Sequence, residues 1–204
     1  DTCTLGRCLG SIRPATFDDF SSGAAPNAGR WRIVSADGGA QVSVAAGQLV
    51  VNRSALVVAA QSYAVASSSA VRITGEFTSG VANDWAHVWT RTSGVPGSAF
   101  QLDSGVEFIV KPDQLELRNN GVSVATAVFD GGLAVGAPVV FEVFDDGARA
   151  QLSVHNKGAA NELLLSAAIS GAASGSKVVF ANNNDGAPTA GSSRFDLLRI
   201  EHGV

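Results

Sequence analysis

The 204-residue sequence contains no methionine, two cysteines, one tyrosine and few charged residues, and these scarcities exclude several classes of protein. Charged residues make up 16% of the chain and the net charge is -4. No cluster of Lys or Arg could neutralise a run of phosphates, which argues against a nucleic-acid partner. No apolar run approaches the roughly 20 residues that span a bilayer, so we expect no membrane partner. With neither a signal-peptide pattern nor an initiator Met, we expect a piece of a larger multidomain protein.

The two cysteines, Cys3 and Cys8, both lie at the start of the chain. A disulfide between them would close a small ring and tie down the terminus without holding the core together. It would also indicate an oxidising setting, and on this basis we predict an extracellular or cell-surface protein. The alternative is that the pair is the remainder of a Cys-rich neighbour. We therefore treat residues 1–14 as an N-terminal extension and residues 15–204 as a single domain.

Alternating apolar and polar residues dominate the rest of the chain, and almost nothing repeats at the helical period. Such segments, separated by clusters of Gly, Asn, Asp and Ser, are typical of an all-β, two-sheet antiparallel β-sandwich. The segment "NELLLSAA" (161–168) could instead form a turn or two of helix because Glu, Leu and Ala favour it. Tight turns are predicted at 112–113, 119–121 and 145–147. The clearest predicted strands cover 41–51, 56–61, 70–79, 85–91, 105–112, 114–121, 139–147, 148–156, 161–170, 177–183 and 193–201.

The order of these segments resembles the concanavalin A-like lectin/glucanase superfamily. The resemblance rests on "FDDF" (17–20), Trp31, "GQLVV" (47–51), the hairpin "FEVFDDGARAQLSV" (141–154) and the closing "RFDLLRI" (194–200). Within the superfamily the sequence is most similar to laminin-G-like or pentraxin-like domains of bacterial polysaccharide-acting proteins. The resemblance covers nearly the whole chain and implies a jelly roll that holds glycan on its concave face.

The segment "WAHVWTR" (85–91) raises the question of which of its two faces is buried. Successive side chains alternate across a strand, so two tryptophans pointing into the core would take His87 and Arg91 with them. Burying those groups without partners costs several kcal/mol, on the order of the net stability of a domain. We therefore predict that Trp85 and Trp89 point away from the core, whereas Trp31, outside this row, is predicted to be a core residue.

An outward row of aromatic and charged side chains suits a sugar. Indole rings cover the apolar face of a pyranose, and charged groups form planar hydrogen bonds to its hydroxyls. We therefore predict a noncatalytic carbohydrate-binding module whose partner is a polysaccharide or glycan. The alternative is that the row covers an ordinary sheet face or contacts another domain, as in an adhesion or structural module. The predicted ligand-binding residues are Trp85, His87, Trp89, Arg91, Arg72, Glu76, Gln101, Asp103 and Glu107.

Motifs for catalysis are missing from the sequence. The E-x-D-x-x-E strand of laminarinase-type glucanases does not occur, and the spacing of three between Glu142 and Asp145 puts them on opposite faces of a strand. A hydrolase or lyase of the same fold, using a pair such as His87 with Glu76 or Asp103, remains an alternative, and we assign no catalytic residue.

A structural calcium ion is a further expectation from the resemblance. Many members of the superfamily hold Ca²⁺ with an acidic residue near the first strand and an Asp in the last strand. The matching positions are Asp18, Asp19 and Asp196, whose oxygens are the ligand type that Ca²⁺ takes. The alternative is that Asp18 and Asp19 cap a turn and that Asp196 is solvated.

Overall fold

A computed structural model describes residues 2–4, 7–9, 12–35, 41–52, 55–66, 69–80, 84–94, 102, 104–129, 132–158, 162–171, 174–184 and 193–203. Every helix or strand element in these ranges is a β-strand. The strands are β1 (Thr2–Thr4), β2 (Arg7–Leu9), β3 (Ile12–Asp18), β4 (Trp31–Ser35), β5 (Gln41–Ala45), β6 (Gln48–Asn52), β7 (Ala55–Ala59), β8 (Val71–Thr78), β9 (Asp84–Thr92), β10 (Val106–Val110), β11 (Gln114–Asn119), β12 (Val122–Val128), β13 (Pro138–Asp145), β14 (Arg149–Asn156), β15 (Glu162–Ala168), β16 (Lys177–Asn184) and β17 (Ser193–Gly203).

The strands form two large antiparallel sheets, which confirms the predicted β-sandwich. The seven-stranded sheet has the order β12-β11-β10-β9-β16-β7-β4. The eight-stranded sheet has the order β15-β14-β13-β8-β17-β6-β5, and β3 also pairs with β17. β1 and β2 form a separate hairpin in which Cys3 lies opposite Cys8. The side chains of that hairpin lie outside the described residues, so the predicted disulfide stays a prediction. So does the domain boundary near residue 15.

The main core lies between the two sheets and is built from one face of each. Alternation along the strands sends Ala86 and Val88 inward from the seven-stranded sheet, and Ile73 and Phe77 inward from the eight-stranded sheet. Trp31 is a core residue, as predicted. The aromatic rings at the centre pack on each other at centroid distances of 5.2 to 6.4 Å, typical of favourable aromatic pairs. Those rings are Trp31, Phe77, Phe141, Phe180 and Phe195.

The turns follow the sequence signals closely. Asn120 and Gly121 both have positive φ, 49° and 79°, and join β11 to β12, which is the backbone that a primed hairpin turn requires. A tight turn at 145–147 joins β13 to β14 as predicted. The helix alternative for 161–168 is wrong, because Glu162–Ala168 form β15 at a sheet edge. β4 and β12 were not among the clearest predicted strands. β12 exposes valines where the pattern expects polar residues, and its other side is mostly alanine, so no clearly polar face marks it.

Within the described part of the chain, no helix is long and apolar enough to cross a membrane.

The space around Gly75 shows how tightly the two sheets are packed. A Cβ added at Gly75 in β8 would lie 2.6 Å from Leu198 Cδ2 and 2.8 Å from Phe141 Cζ. Both neighbours are buried, so neither can move aside freely. We expect Gly75→Ala to destabilise the fold by about 1–3 kcal/mol, with each ~1 kcal/mol lowering Tm by about 2–4 °C. Gly29→Ala, in an exposed loop, is the control for thermal melts. Equal melting temperatures for the two variants would contradict this packing.

Candidate functional site on the outer face of the seven-stranded sheet

β9 sends its two sets of side chains to opposite sides of the seven-stranded sheet. Ala86 and Val88 pack in the main core, whereas Trp89 belongs to a separate hydrophobic cluster on the opposite side of that sheet. Trp85 and His87 share the parity of Trp89, and their rings follow one another along the strand. The tryptophans therefore point away from the main core, as predicted. We call this side of the sheet the outer face.

The outer face is largely dry, and here the expectation of an open binding surface is wrong. Trp89 and His87 are each only 2% exposed. The physical reason is a second hydrophobic layer: Leu102, from the connection between β9 and β10, packs on this side of the sheet. Trp85, at the start of β9, remains partly exposed. The cluster around Trp89 consists of Leu56, Val58, Leu102, Val179 and Ala181, with Val34 packed against it.

His87 is held between an aromatic ring and a carboxylate. Its ring stacks on Trp89 at 5.2 Å between centroids and 14° between planes. Its Nδ1 lies 2.7 Å from Glu107 Oε1. These contacts give Nδ1 a carboxylate partner and cover one face of the ring, so burying the imidazole costs less than the sequence argument assumed.

A row of charged side chains continues from Glu107 towards Trp85. Arg118 lies 3.8 Å from Glu107 and donates through Nε to Glu116 at 2.7 Å. Lys111 forms an ion pair with the same Glu116 and places its Nζ 4.5 Å from the centroid of the Trp85 ring. We call Lys111, Glu116, Arg118 and Glu107 the charged array. It fixes hydrogen-bonding groups in place beside the partly exposed indole.

Glu116 is the centre of this array. Burial alone would raise the pKa of its carboxyl group, but hydrogen bonds from Arg118, Lys111 and Ser123 outweigh burial and hold the pKa at about 2. The same contact with Glu116 raises the pKa of Arg118. The lowered pKa of Glu116 and the raised pKa of Arg118 keep both of these groups charged at neutral pH.

The lowered pKa of Glu116 predicts a pH dependence of stability. A carboxylate whose folded pKa lies below its unfolded value of 4.5 stabilises the fold above pH 4.5, and this contribution is lost as pH falls towards 2. We expect Glu116→Gln to lower stability at neutral pH by up to ~3 kcal/mol and to flatten the decline between pH 4.5 and 2. Urea denaturation across this range measures it, with the exposed Glu162→Gln as the control. An unchanged pH profile for Glu116→Gln would contradict the array.

Arg91 does not belong to the outer face, contrary to the prediction. A register shift between β9 and β16 places an extra residue in β9, and Arg91 adopts a positive φ of 55° there. Its guanidinium turns inward to Asp145 of the other sheet, with Nε 2.8 Å from Asp145 Oδ2 and NH2 bonded to Oδ1. Thr90 and the backbone of Gly147 donate to the same carboxylate. Arg91 is a tie between the sheets and not a ligand-binding residue.

This tie should be costly to break because Asp145 is completely buried. Asp145→Asn keeps the shape but leaves the Arg91 charge without a counterion, and we expect a loss of about 3–5 kcal/mol. Arg199→Ala removes an ion pair to Glu201 in which the arginine is 53% exposed, and should cost about 1 kcal/mol or less. Chemical denaturation of both variants measures the difference. A similar small cost for both would contradict the inter-sheet tie.

Arg72 and Glu76 are also wrongly placed by the sequence prediction. They lie in β8, on the side of the eight-stranded sheet that faces away from the main core, so the whole sandwich separates them from Trp85. Arg72 binds Glu142 and Glu201 there, and Glu76 binds Lys157 at 2.8 Å. Alternation correctly predicted that Arg72 and Glu76 lie on the polar face of β8. That face belongs to the eight-stranded sheet, whereas Trp85 lies on the seven-stranded sheet. Gln101 and Asp103 lie outside the described residues.

The predicted calcium ligands do not fit a calcium site. Asp18 is buried, and its carboxylate accepts from Trp31 Nε1 at 2.8 Å and from the Phe20 amide at 3.0 Å, with Arg30 3.4 Å away. Its oxygens are thus taken by N–H donors. No group of three or more metal-ligating side chains occurs among the residues that the structure describes.

The other two carboxylates sit on the outside of the eight-stranded sheet or at its margin. Asp19 is exposed and accepts from the amide and hydroxyl of Ser21, as in a capped turn. Burial, together with the charges of Glu76 and Asp19, raises the pKa of Asp196. The positive charge of Lys157, which binds Glu76, partly offsets the repulsion between these carboxylates. Asp18 points inward and cannot join Asp196 in holding one ion.

Lys111, Glu116 and Arg118 were not among the predicted site residues. Alternation in the sequence shows that these residues lie on the polar side of β10 and β11. It does not show that β10 pairs with both β9 and β11, which brings that polar side next to Trp85. Strand order, a long-range property, was the missing information.

Comparison with solved structures shows that the chain has the concanavalin A-like jelly-roll fold found in legume lectins. A winged bean acidic lectin in complex with methyl-α-D-galactose matches with a TM-score of 0.67 at 11% identity, over 93% of this chain and 99% of the lectin. The metal-free form of a Griffonia simplicifolia lectin matches with a TM-score of 0.66 at 12% identity, over 94% and 100%. A protein of unknown function from Shewanella oneidensis MR-1 matches with a TM-score of 0.56 at 12% identity, over 97% and 89%.

No protein-family model matches the sequence, and no curated protein matches it. At these identities the similarity establishes the fold.

Proposed function

We propose that the protein is a noncatalytic, lectin-like carbohydrate-binding module, and that it binds glycan on the outer face at Trp85 and the charged array. The observation that carries the proposal is this array, fixed beside a partly exposed indole, in a fold shared with lectins. Two of the similar lectins are described as complexes with galactose or its methyl glycoside.

The chemistry of the site supports a sugar ligand. An accessible indole covers the C–H face of a pyranose, and carboxylate and guanidinium groups form paired hydrogen bonds to neighbouring hydroxyls. Glu116 already holds Lys111 and Arg118 in position, so little side-chain entropy is lost when a ligand binds. Because a single partly exposed indole offers a small contact area, we expect weak affinity.

An extracellular setting and attachment to a larger protein belong to the same proposal. The register of the β1–β2 hairpin, with Cys3 opposite Cys8, supports the disulfide on which the extracellular setting rests. Calcium is left out because Asp18 is occupied by N–H donors.

A polysaccharide and glycan-array pull-down tests the proposed function. We expect the wild type to retain a glycan and Trp85→Ala to weaken binding about tenfold or more, the equivalent of ~1.4 kcal/mol, because the stacking surface is removed. Phe17→Ala is the matched control, since Phe17 is an exposed aromatic residue in β3 of the other sheet. Thermal melts confirm that both variants are folded. Failure of the wild type to bind any glycan, or unchanged binding by Trp85→Ala, would overturn the proposal.

A further inference from the structure

A cleft lies at the β4 edge of the seven-stranded sheet, separated from β9 and Trp85 by β16 and β7. The cleft has a volume of about 1180 Å³ and lies between β4 and β5, the edge strands of the two sheets. This volume exceeds the ~300–1000 Å³ typical of sites for small molecules, so the cleft can hold an extended ligand. Its lining includes Arg32, Ile33, Val42 and Lys177.

The floor of the cleft is apolar and open to solvent. Ile33 is 41% exposed although the neighbouring Trp31 is buried in the main core. At the opposite side of the sandwich the edge strands β12 and β15 pack against each other and cover the interior. Among the described residues between β4 and β5, Ile33 stays exposed, so an apolar surface is available to a ligand here.

The charged side chains among the described lining residues of the cleft are both cations, Arg32 and Lys177. Residues 36–40, which join β4 to β5, lie outside the described residues. Within the described ranges, neither cation has a carboxylate within ion-pair distance, whereas Lys111 and Lys157 each do. Two cations that meet no carboxylate in the described part of the cleft favour an anionic ligand.

Both cations are placed to reach such a ligand. Lys177 Nζ donates to the carbonyl oxygens of Ala60 at 2.7 Å and Gln61 at 3.1 Å, which holds the ammonium at the cleft and leaves one N–H for a ligand. Arg32 is exposed, and among the described residues its guanidinium donates a long hydrogen bond of 3.5 Å from Nη2 to the Gly94 carbonyl. A planar guanidinium of this kind can bind a carboxylate or sulfate through two parallel hydrogen bonds.

We propose that this cleft binds an acidic oligosaccharide, with Arg32 and Lys177 on its anionic groups and Ile33 and Val42 beneath its C–H surface. The ligand class follows from the charge, the length and the apolar floor of the cleft. The site lies at the β4 edge of the seven-stranded sheet, away from Trp85, and does not depend on sugar binding at Trp85.

Calorimetric titration with three oligosaccharides of equal length tests the cleft: an oligouronate, a sulfated oligosaccharide and a neutral one. We expect the wild type to bind an acidic oligosaccharide, with affinity falling as salt rises, and to bind the neutral one at least tenfold more weakly. The tighter of the two acidic ligands identifies carboxylate or sulfate as the recognised group.

Paired variants distinguish binding by the two cleft cations from a general effect of the protein's charge. Arg32→Gln with Lys177→Gln should weaken acidic-ligand binding at least tenfold, whereas Arg149→Gln with Arg194→Gln removes the same charge at exposed positions on other strands and should leave it unchanged. Arg32→Gln alone, which breaks only the long contact to Gly94, guards against loss of folding. Trp85→Ala should retain acidic-ligand binding.

Four outcomes would overturn the cleft proposal. In three of them the wild type binds neither acidic ligand, the neutral oligosaccharide binds equally well, or Arg32→Gln binds like the wild type. In the fourth, Trp85→Ala loses acidic-ligand binding, which would assign that ligand to the site at Trp85 instead.

Discussion

Burial of both sides of the seven-stranded sheet is the constraint on which the rest of the structure depends. The inner side packs in the main core, and the outer side packs under Leu102 and its hydrophobic neighbours. A sheet covered in this way can expose functional groups only at its margins. Trp85 lies at the start of β9 and Arg32 in the edge strand β4, and the two proposed sites occupy these margins.

Polar groups inside such a sheet must be satisfied by one another. His87 meets Glu107, Glu116 meets Lys111 and Arg118, and Arg91 meets Asp145 across the sandwich. Each contact makes burial of a charged group tolerable, and each also fixes a side chain in one geometry. The same ion pairs that stabilise the fold hold the charged array in place beside Trp85.

The sequence was sufficient to predict the fold class, most strands, the turns and the direction of Trp85 and Trp89, because alternation and turn chemistry are local. It failed where distant segments decide. The bulge that turns Arg91 inward leaves no mark in "WAHVWTR", and the sheet to which Arg72 belongs follows from strand pairing alone. The argument that burying His87 is too costly also failed, since Glu107 and Trp89 supply partners from a neighbouring strand and along the same strand.

The central claim is that the outer face binds glycan at its open margin and not through its buried tryptophan. The three tryptophans give three indole N–H signals in a ¹H–¹⁵N NMR spectrum, and titration with a glycan retained in the pull-down follows them separately. The account predicts that the Trp85 signal shifts with ligand while those of Trp31 and Trp89 stay in place. A shift of Trp89 without Trp85, or no shift of any indole at saturating glycan, would contradict it.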